Sequence, residues 1–197
     1  MTAPLILASK SASRRAMLDA AGVAYQSIPA DIDERAVEAG LAGAAPAEVA
    51  EALSVAKAAA VAEAYPGALV LGSDSLVVAG GRRFDKPCSR EEAAEHLRFF
   101  SGTVMELHSA AALVKDGGCE WSQASLARLH VRDLSEGFIE HYLDLEWPAI
   151  SHTVGAFRIE GPGVQLFDAI EGDQFTVLGM PLLPLLGALR EAGVLIA

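Results

Sequence analysis

Short apolar runs alternate along the chain with polar, glycine-marked breaks and with longer stretches of helical period. Leu5-Ile6-Leu7-Ala8 reads as a buried strand. Ser9 to Ser13 interrupt it, and a helix is predicted over Arg14–Ala21, stopped by Gly22. Val23–Pro29 is a second strand candidate, and Asp31-Ile32-Asp33-Glu34 an acidic loop. A long alanine-rich helix should run from Pro46, well placed in a first turn, to Tyr65, with Pro66-Gly67 ending it. Ala68–Ala79 reads as a Val- and Leu-rich strand turned by Gly80-Gly81. Ser89-Arg90-Glu91-Glu92 fits a capping box and opens a helix to about Phe100. Thr103–Lys115 and Cys119–Val131 look like two strands joined by the turn Asp116-Gly117-Gly118. A helix over Ser135–Leu145 ends at Trp147-Pro148. Gly155–Gly163 reads as a loop or strand edge, and Gly163–Ile170 as a short helix. The last helix is Pro181–Ala192, with Pro184 tolerable only in its first turn. Strands and helices alternate around one antiparallel pair, which predicts an α/β fold with a mixed sheet. No repeat or linker divides the chain, so one domain over residues 1–197 is expected.

Composition narrows the functional classes. With 197 residues, 52% of them hydrophobic, the chain can bury a core without staples, and its composition argues against disorder. Lys and Arg number 15 against 26 Asp and Glu, a formal charge of -11. Such a surface repels nucleic-acid backbones, so any small anionic ligand needs a local cationic island. Cys88 and Cys119 lack CxxC spacing and read as reduced thiols. The five histidines show no ligand spacing, which argues against zinc, and each reads as a surface or satisfied core residue. No apolar run reaches the roughly 18 residues of a membrane span, and the first residues do not resemble a signal peptide. A soluble, cytoplasmic protein is expected.

Four segments carry candidate chemistry. Ser9-Lys10-Ser11-Ala12-Ser13-Arg14-Arg15 follows a strand and opens a helix, where unpaired N–H groups, hydroxyls and arginine forks suit phosphate oxygens. The same pattern also fits a serine cap followed by solvated arginines. It is neither a Walker loop nor a dinucleotide fingerprint. Asp74 interrupts the apolar run Leu69–Val78, and a carboxylate there must be paired, hydrated or metal-bound unless a bulge takes it to the strand end. Asp33 and Glu34 form a carboxylate pair that also fits a solvated turn. Lys57 faces Leu53, Ala60 and Val61 on its helix, so it either snorkels or meets an anion. Lys86, fixed in extended conformation by Pro87, could aim its ammonium into a cleft.

In order along the chain these segments resemble the Maf family of nucleoside triphosphate pyrophosphatases. Leu7-Ala8-Ser9-Lys10-Ser11-Ala12-Ser13-Arg14-Arg15 is similar to its opening signature, Asp33-Glu34 to its acidic position and Lys57 to its central helix lysine. Gly72-Ser73-Asp74-Ser75, Lys86-Pro87, Ser101-Gly102 and the glycine series from Gly155 to Leu178-Gly179-Met180-Pro181-Leu182 match further family positions. Two residues between Ser11 and Arg14, and Gly155-Ala156-Phe157-Arg158-Ile159-Glu160-Gly161, resemble the 7-methyl-GTP branch more than the dTTP and UTP branch. Ser75 stands where that branch often has Gln, Val154 where Ala is usual, and Met180 where Leu is usual.

The resemblance implies a Maf/inosine-triphosphatase-like fold, a mixed, elongated sheet with flanking helices and two lobes around a central cleft. It implies release of pyrophosphate from a nucleoside triphosphate with a divalent metal, Mg or Mn. Asp74 is then the expected catalytic residue, with Asp74 and Glu34 as metal ligands and Ser9, Ser11, Arg14, Lys57 and Lys86 on the phosphates. The alternatives are a dTTP or UTP pyrophosphatase, or a non-catalytic nucleotide-binding regulator of septum formation. A homodimer is a plausible assembly.

Overall fold

A computed structural model describes residues 5–196; residues 1–4 and 197, the ends of the expected domain, lie outside the described residues. Among the described residues the strands are β1 (Leu5–Leu7), β2 (Tyr25–Ser27), β3 (Leu69–Ala79), β4 (Arg82–Phe84), β5 (Val104–Lys115), β6 (Gly118–Val131) and β7 (Phe167–Glu171). The α-helices are α1 (Ala12–Ala20), α2 (Glu34–Ala39), α3 (Pro46–Ala62), α4 (Arg90–Phe100), α5 (Glu136–Glu146), α6 (Gln174–Val177) and α7 (Leu182–Glu191). The strands hydrogen-bond in the order β2-β1-β3-β5-β6-β7, with β4 paired to β3. The pairs β1–β2 and β1–β3 are parallel, while β3–β4 and β6–β7 are antiparallel, so the expected mixed α/β sheet is present.

The chain divides into two compact units, one of residues 1–75, 109–125 and 174–197, the other of residues 76–108 and 126–173. In the first unit β1 and β3 are covered on both faces, which is why their sequences are continuously apolar and do not alternate. Side chains of a strand alternate between faces. Leu5, Leu7, Leu69 and Leu71 join one cluster with Met17 and Leu18 of α1 and Leu182, Leu185 and Leu189 of α7. Ile6, Ala8, Val70 and Ala68 face the other way, against Ala58, Val61 and Ala62 of α3. Truncating one of these fully buried leucines to alanine costs about 2–5 kcal/mol.

The second unit packs Phe84 against His96, Phe99 and Phe100 of α4, at ring-centroid distances of 5.1, 5.0 and 4.6 Å. Its glycine-rich stretch forms short 3-10 turns, Ala149–His152, Val154–Ala156 and Pro162–Leu166. The Arg158 guanidinium donates to both oxygens of the buried Glu146 carboxylate at 2.8 and 2.9 Å, and this hydrogen bonding raises the arginine above its usual range. The Tyr142 hydroxyl donates to Ala156 O at 3.1 Å, holding a residue with φ +54.

Most predicted elements are present, with five corrections. The acidic loop continues into a helix: Asp33 is the N-cap of α2, accepting Ala36 N–H at 3.0 Å. The second strand shrinks to β2, three residues on the sheet edge. The helix expected over Gly163–Ile170 is a 3-10 turn followed by β7, because its partner β6 supplies hydrogen bonds that local pattern could not show. The hairpin turn is Asp116-Gly117, both in left-handed conformation at φ 47 and 82, so Gly118 already belongs to β6. His96 and His108 are buried, and His96 Nδ1 and His108 Nε2 lack hydrogen-bond partners among the described residues. These core histidines are therefore only partly satisfied, with His96 Nε2 3.8 Å from Glu92 Oε1 and His108 Nε2 3.6 Å from Glu106 Oε2. Cys88 and Cys119 are free and exposed, and no described helix is long and apolar enough to cross a membrane.

Candidate active site

Six of the seven candidate residues, Ser9, Ser11, Arg14, Glu34, Lys57 and Asp74, lie in the first unit. Asp74 sits within β3, buried at 8% exposure, so it is not displaced to a strand end. Lys57 Nζ donates to Asp74 Oδ1 at 2.5 Å and pairs with Glu34 Oε1 at 2.9 Å. The lysine therefore meets two anions and does not snorkel. Glu34 is brought there by α2, whose first residue it is and which packs on α3.

What lets α3 approach β3 is Gly72. A Cβ at this position would stand 1.9 Å from Ser54 O and 2.9 Å from Ala58 N, both in the helix backbone. Only glycine permits that approach. Ser54 and Ala58 flank Lys57 in α3, and Gly72 lies two residues before Asp74, so one close contact sets the reach of the ion pair.

Arg14 is held by another set of groups. Its Nε donates to Gly179 O at 2.9 Å, Nη2 to Ser75 Oγ at 3.0 Å and Nη1 to Ser9 Oγ at 3.5 Å. All three acceptors are neutral. A guanidinium has five N–H donors, so two remain for a ligand. Burial lowers the Arg14 pKa from its ordinary value, and the negative charges of Asp74 and Glu34 oppose that shift. The arginine remains charged.

Ser11 is the N-cap of α1, its Oγ accepting Arg14 N–H at 3.4 Å. Ser9 Oγ accepts from Ser11 N–H at 3.2 Å. Both serine oxygens are thus used as acceptors at the helix start, and neither hydroxyl proton has an acceptor among the described residues. The cap and phosphate readings of this segment are compatible: the oxygens cap, and the protons stay free to donate. Lys86 lies in the second unit, exposed, two residues past β4.

Sequence reasoning missed a set of neutral groups gathered from distant segments. Ser73 Oγ donates to Gly179 O at 3.1 Å, and Ser75 Oγ lies 3.1 Å from the same carbonyl and 3.0 Å from Ser109 Oγ. Ser109 Oγ donates to Thr176 O at 2.8 Å. Ser73 and Ser109 are fully buried. Two hydroxyls within apolar strands were the available signal, since buried hydroxyls need partners. Their partners, Thr176 O in α6 and Gly179 O just after it, are more than sixty residues away in sequence.

Two carboxylates on one lysine thus lie beside a half-buried arginine with spare donors. The Maf-like protein family model matches residues 4–192, and the chain belongs to that family. A 7-methyl-GTP pyrophosphatase of Rhizobium etli is 49% identical over 197 residues, 99% of each chain. A nucleoside triphosphate pyrophosphatase of Rhodopseudomonas palustris is 47% identical over 192 residues, 98% of this chain and 95% of its own length. Among solved structures, a HAM1 protein from Coxiella burnetii matches 66% of this chain and 73% of its own with a TM-score of 0.44 at 17% identity.

Proposed function

We propose that this chain hydrolyses a nucleoside triphosphate to the monophosphate and pyrophosphate, with 7-methyl-GTP the preferred substrate. The observation that carries the reading is the Asp74–Lys57–Glu34 cluster next to Arg14 and its spare donors. The names of full-length relatives at 47–49% identity support the substrate class.

The donor set fits a hard divalent cation of the Mg or Mn type. Each carboxylate engages Lys57 through one oxygen, which leaves Asp74 Oδ2 and Glu34 Oε2 as hard donors. Among the described residues no three His, Cys, Asp or Glu converge. Such a cation would complete its shell with substrate phosphate oxygens and water, as Mg²⁺ commonly does. When bound it supplies positive charge to the phosphates in an acidic protein.

The chain's own residues do the rest. Lys57 fixes Asp74 through Oδ1, and the lone pair of Asp74 Oδ2 not given to the cation orients a water and accepts its proton as the water oxygen attacks the α-phosphorus. The spare Arg14 N–H groups and the Ser9 and Ser11 hydroxyls donate to phosphate oxygens. Catalysis is then positioning plus electrostatic stabilisation of the departing pyrophosphate.

A panel of 7-methyl-GTP, dTTP, UTP and CTP, with and without Mg²⁺ or Mn²⁺, tests the proposal through phosphate released by added inorganic pyrophosphatase. Selective turnover of 7-methyl-GTP is expected. Preference for dTTP or UTP would move the substrate, and nucleotide binding without turnover would replace the enzyme by a regulator.

A further inference from the structure

Counting protons assigns the network beside Arg14. Gly179 O has two lone pairs but three donors in reach: Arg14 Nε at 2.9 Å, Ser73 Oγ at 3.1 Å and Ser75 Oγ at 3.1 Å. Ser109 has one hydroxyl proton, and its shortest contact is Thr176 O at 2.8 Å. Toward Ser75, then, Ser109 Oγ is an acceptor. Ser75 gives its single proton to Ser109 at 3.0 Å, leaving Gly179 O to Ser73 and Arg14. The Ser75 oxygen in turn accepts from Arg14 Nη2 at 3.0 Å.

The result is a directed chain, Arg14 Nη2–H to Ser75 O–H to Ser109 O–H to Thr176 O, in which every proton has one destination. Such chains polarise in one sense and strengthen each link. Gly179 is fitted to this arrangement: φ is +103, and a Cβ there would stand 3.2 Å from Ser75 Oγ.

We infer that Ser75, backed by Ser109, is a positioning residue that locks the Arg14 fork so that its two spare donors face a phosphate. Ser75 acts through Arg14 and touches no reacting atom. The inference rests on the reading of Arg14 as a phosphate-binding residue.

A double-mutant cycle of Ser75→Ala and Arg14→Lys tests it. The readouts are kcat and KM for 7-methyl-GTP, the Kd of inorganic pyrophosphate by calorimetry, and Tm. Ser75→Ala alone should lower kcat/KM by about 10-fold, since misplacement of a positioned group costs up to about 10². In the Arg14→Lys background the same change should cost under about 2-fold, because coupled residues are not additive. Ser75→Thr keeps the hydroxyl and should restore most of the loss. If Ser75→Ala does not unfold cooperatively, Ser75→Cys carries the same test with a weak acceptor of similar shape.

Equal cost in both backgrounds, or no cost, overturns the positioning role while leaving pyrophosphatase activity standing. Coupling seen in pyrophosphate binding without turnover of any triphosphate keeps the positioning role and removes the proposed reaction.

Discussion

Two cations of the first unit are anchored in opposite ways. Lys57 lies between two carboxylates, Asp74 and Glu34. Arg14 rests on a carbonyl and two hydroxyls, none of them charged. Lys57 spends its charge locally, leaving a cluster with a net charge of one negative, suited to a cation. Arg14 is oriented without being neutralised, so its charge is available to a polyanion. The difference bears on the proposed function: in an acidic chain proposed to bind a triphosphate, orientation and neutralisation would fall to different groups.

The largest effect expected is on the carboxylate side. Asp74→Asn should lower kcat/KM by on the order of 10²–10⁴-fold, the range for a lost general base. Thermal stability should change little, because Lys57 keeps Glu34 at 2.9 Å. A variant that loses stability but retains wild-type turnover would make Asp74 structural and break the comparison.

On the neutral side, Gly179→Ala forces a side chain to φ +103 and crowds Ser75 Oγ. The strain should be about 1–3 kcal/mol, or roughly 2–4 °C of Tm per kcal/mol in a chain this size. Pyrophosphate affinity should fall in parallel. Calorimetry and thermal melts check both, and unchanged affinity would separate Gly179 from the Arg14 anchor.

The smallest effect separates acid stability from the site. Burial among Phe84 and Phe100 pushes His96 below its ordinary pKa, and Arg82 adds to the shift while Glu92, Glu95 and Asp85 oppose it. In the unfolded chain a histidine titrates near about 6.5. As pH falls below that value the unfolded state takes up a proton first, so stability drops through the window between the unfolded and folded pKa. His96→Phe should flatten the fall of Tm between pH 7 and pH 5 by a few degrees at most, of the order that ~1 kcal/mol produces. Parallel melting curves for the two proteins would show that His96 contributes nothing to acid stability.

The first unit's framework was legible because its signals are local. Leu5-Ile6-Leu7 and Val70-Leu71 announce strands covered on both faces, and Gly22 and Pro46 mark helix ends at the chain itself. Asp74 and Lys57 could be singled out because a charge on an apolar face demands a partner. That they pair with each other was not legible, since it rests on the close approach of α3 to β3 at Gly72, and Glu34 joins them only through α2, whose N-cap Asp33 reads in the sequence as part of an acidic loop. The β4 and β7 edges escaped because three- to five-residue strands are defined by the neighbour they pair with. The Ser73, Ser75, Ser109 and Gly179 set stayed hidden for a related reason. A hydroxyl in a strand carries no charge to betray it, and its partner comes from a segment 67 to 106 residues away.

Gly72 gives the site a mechanical property. The backbone of α3 lies so close to β3 that one methyl group at this position would act as a wedge, since its Cβ would need the space that Ser54 O occupies at 1.9 Å. The gap between Lys57 and Asp74 is therefore gauged by an atom that is missing, and it could be reset by a change that alters no charge, no hydrogen-bonding side chain and no ligand group.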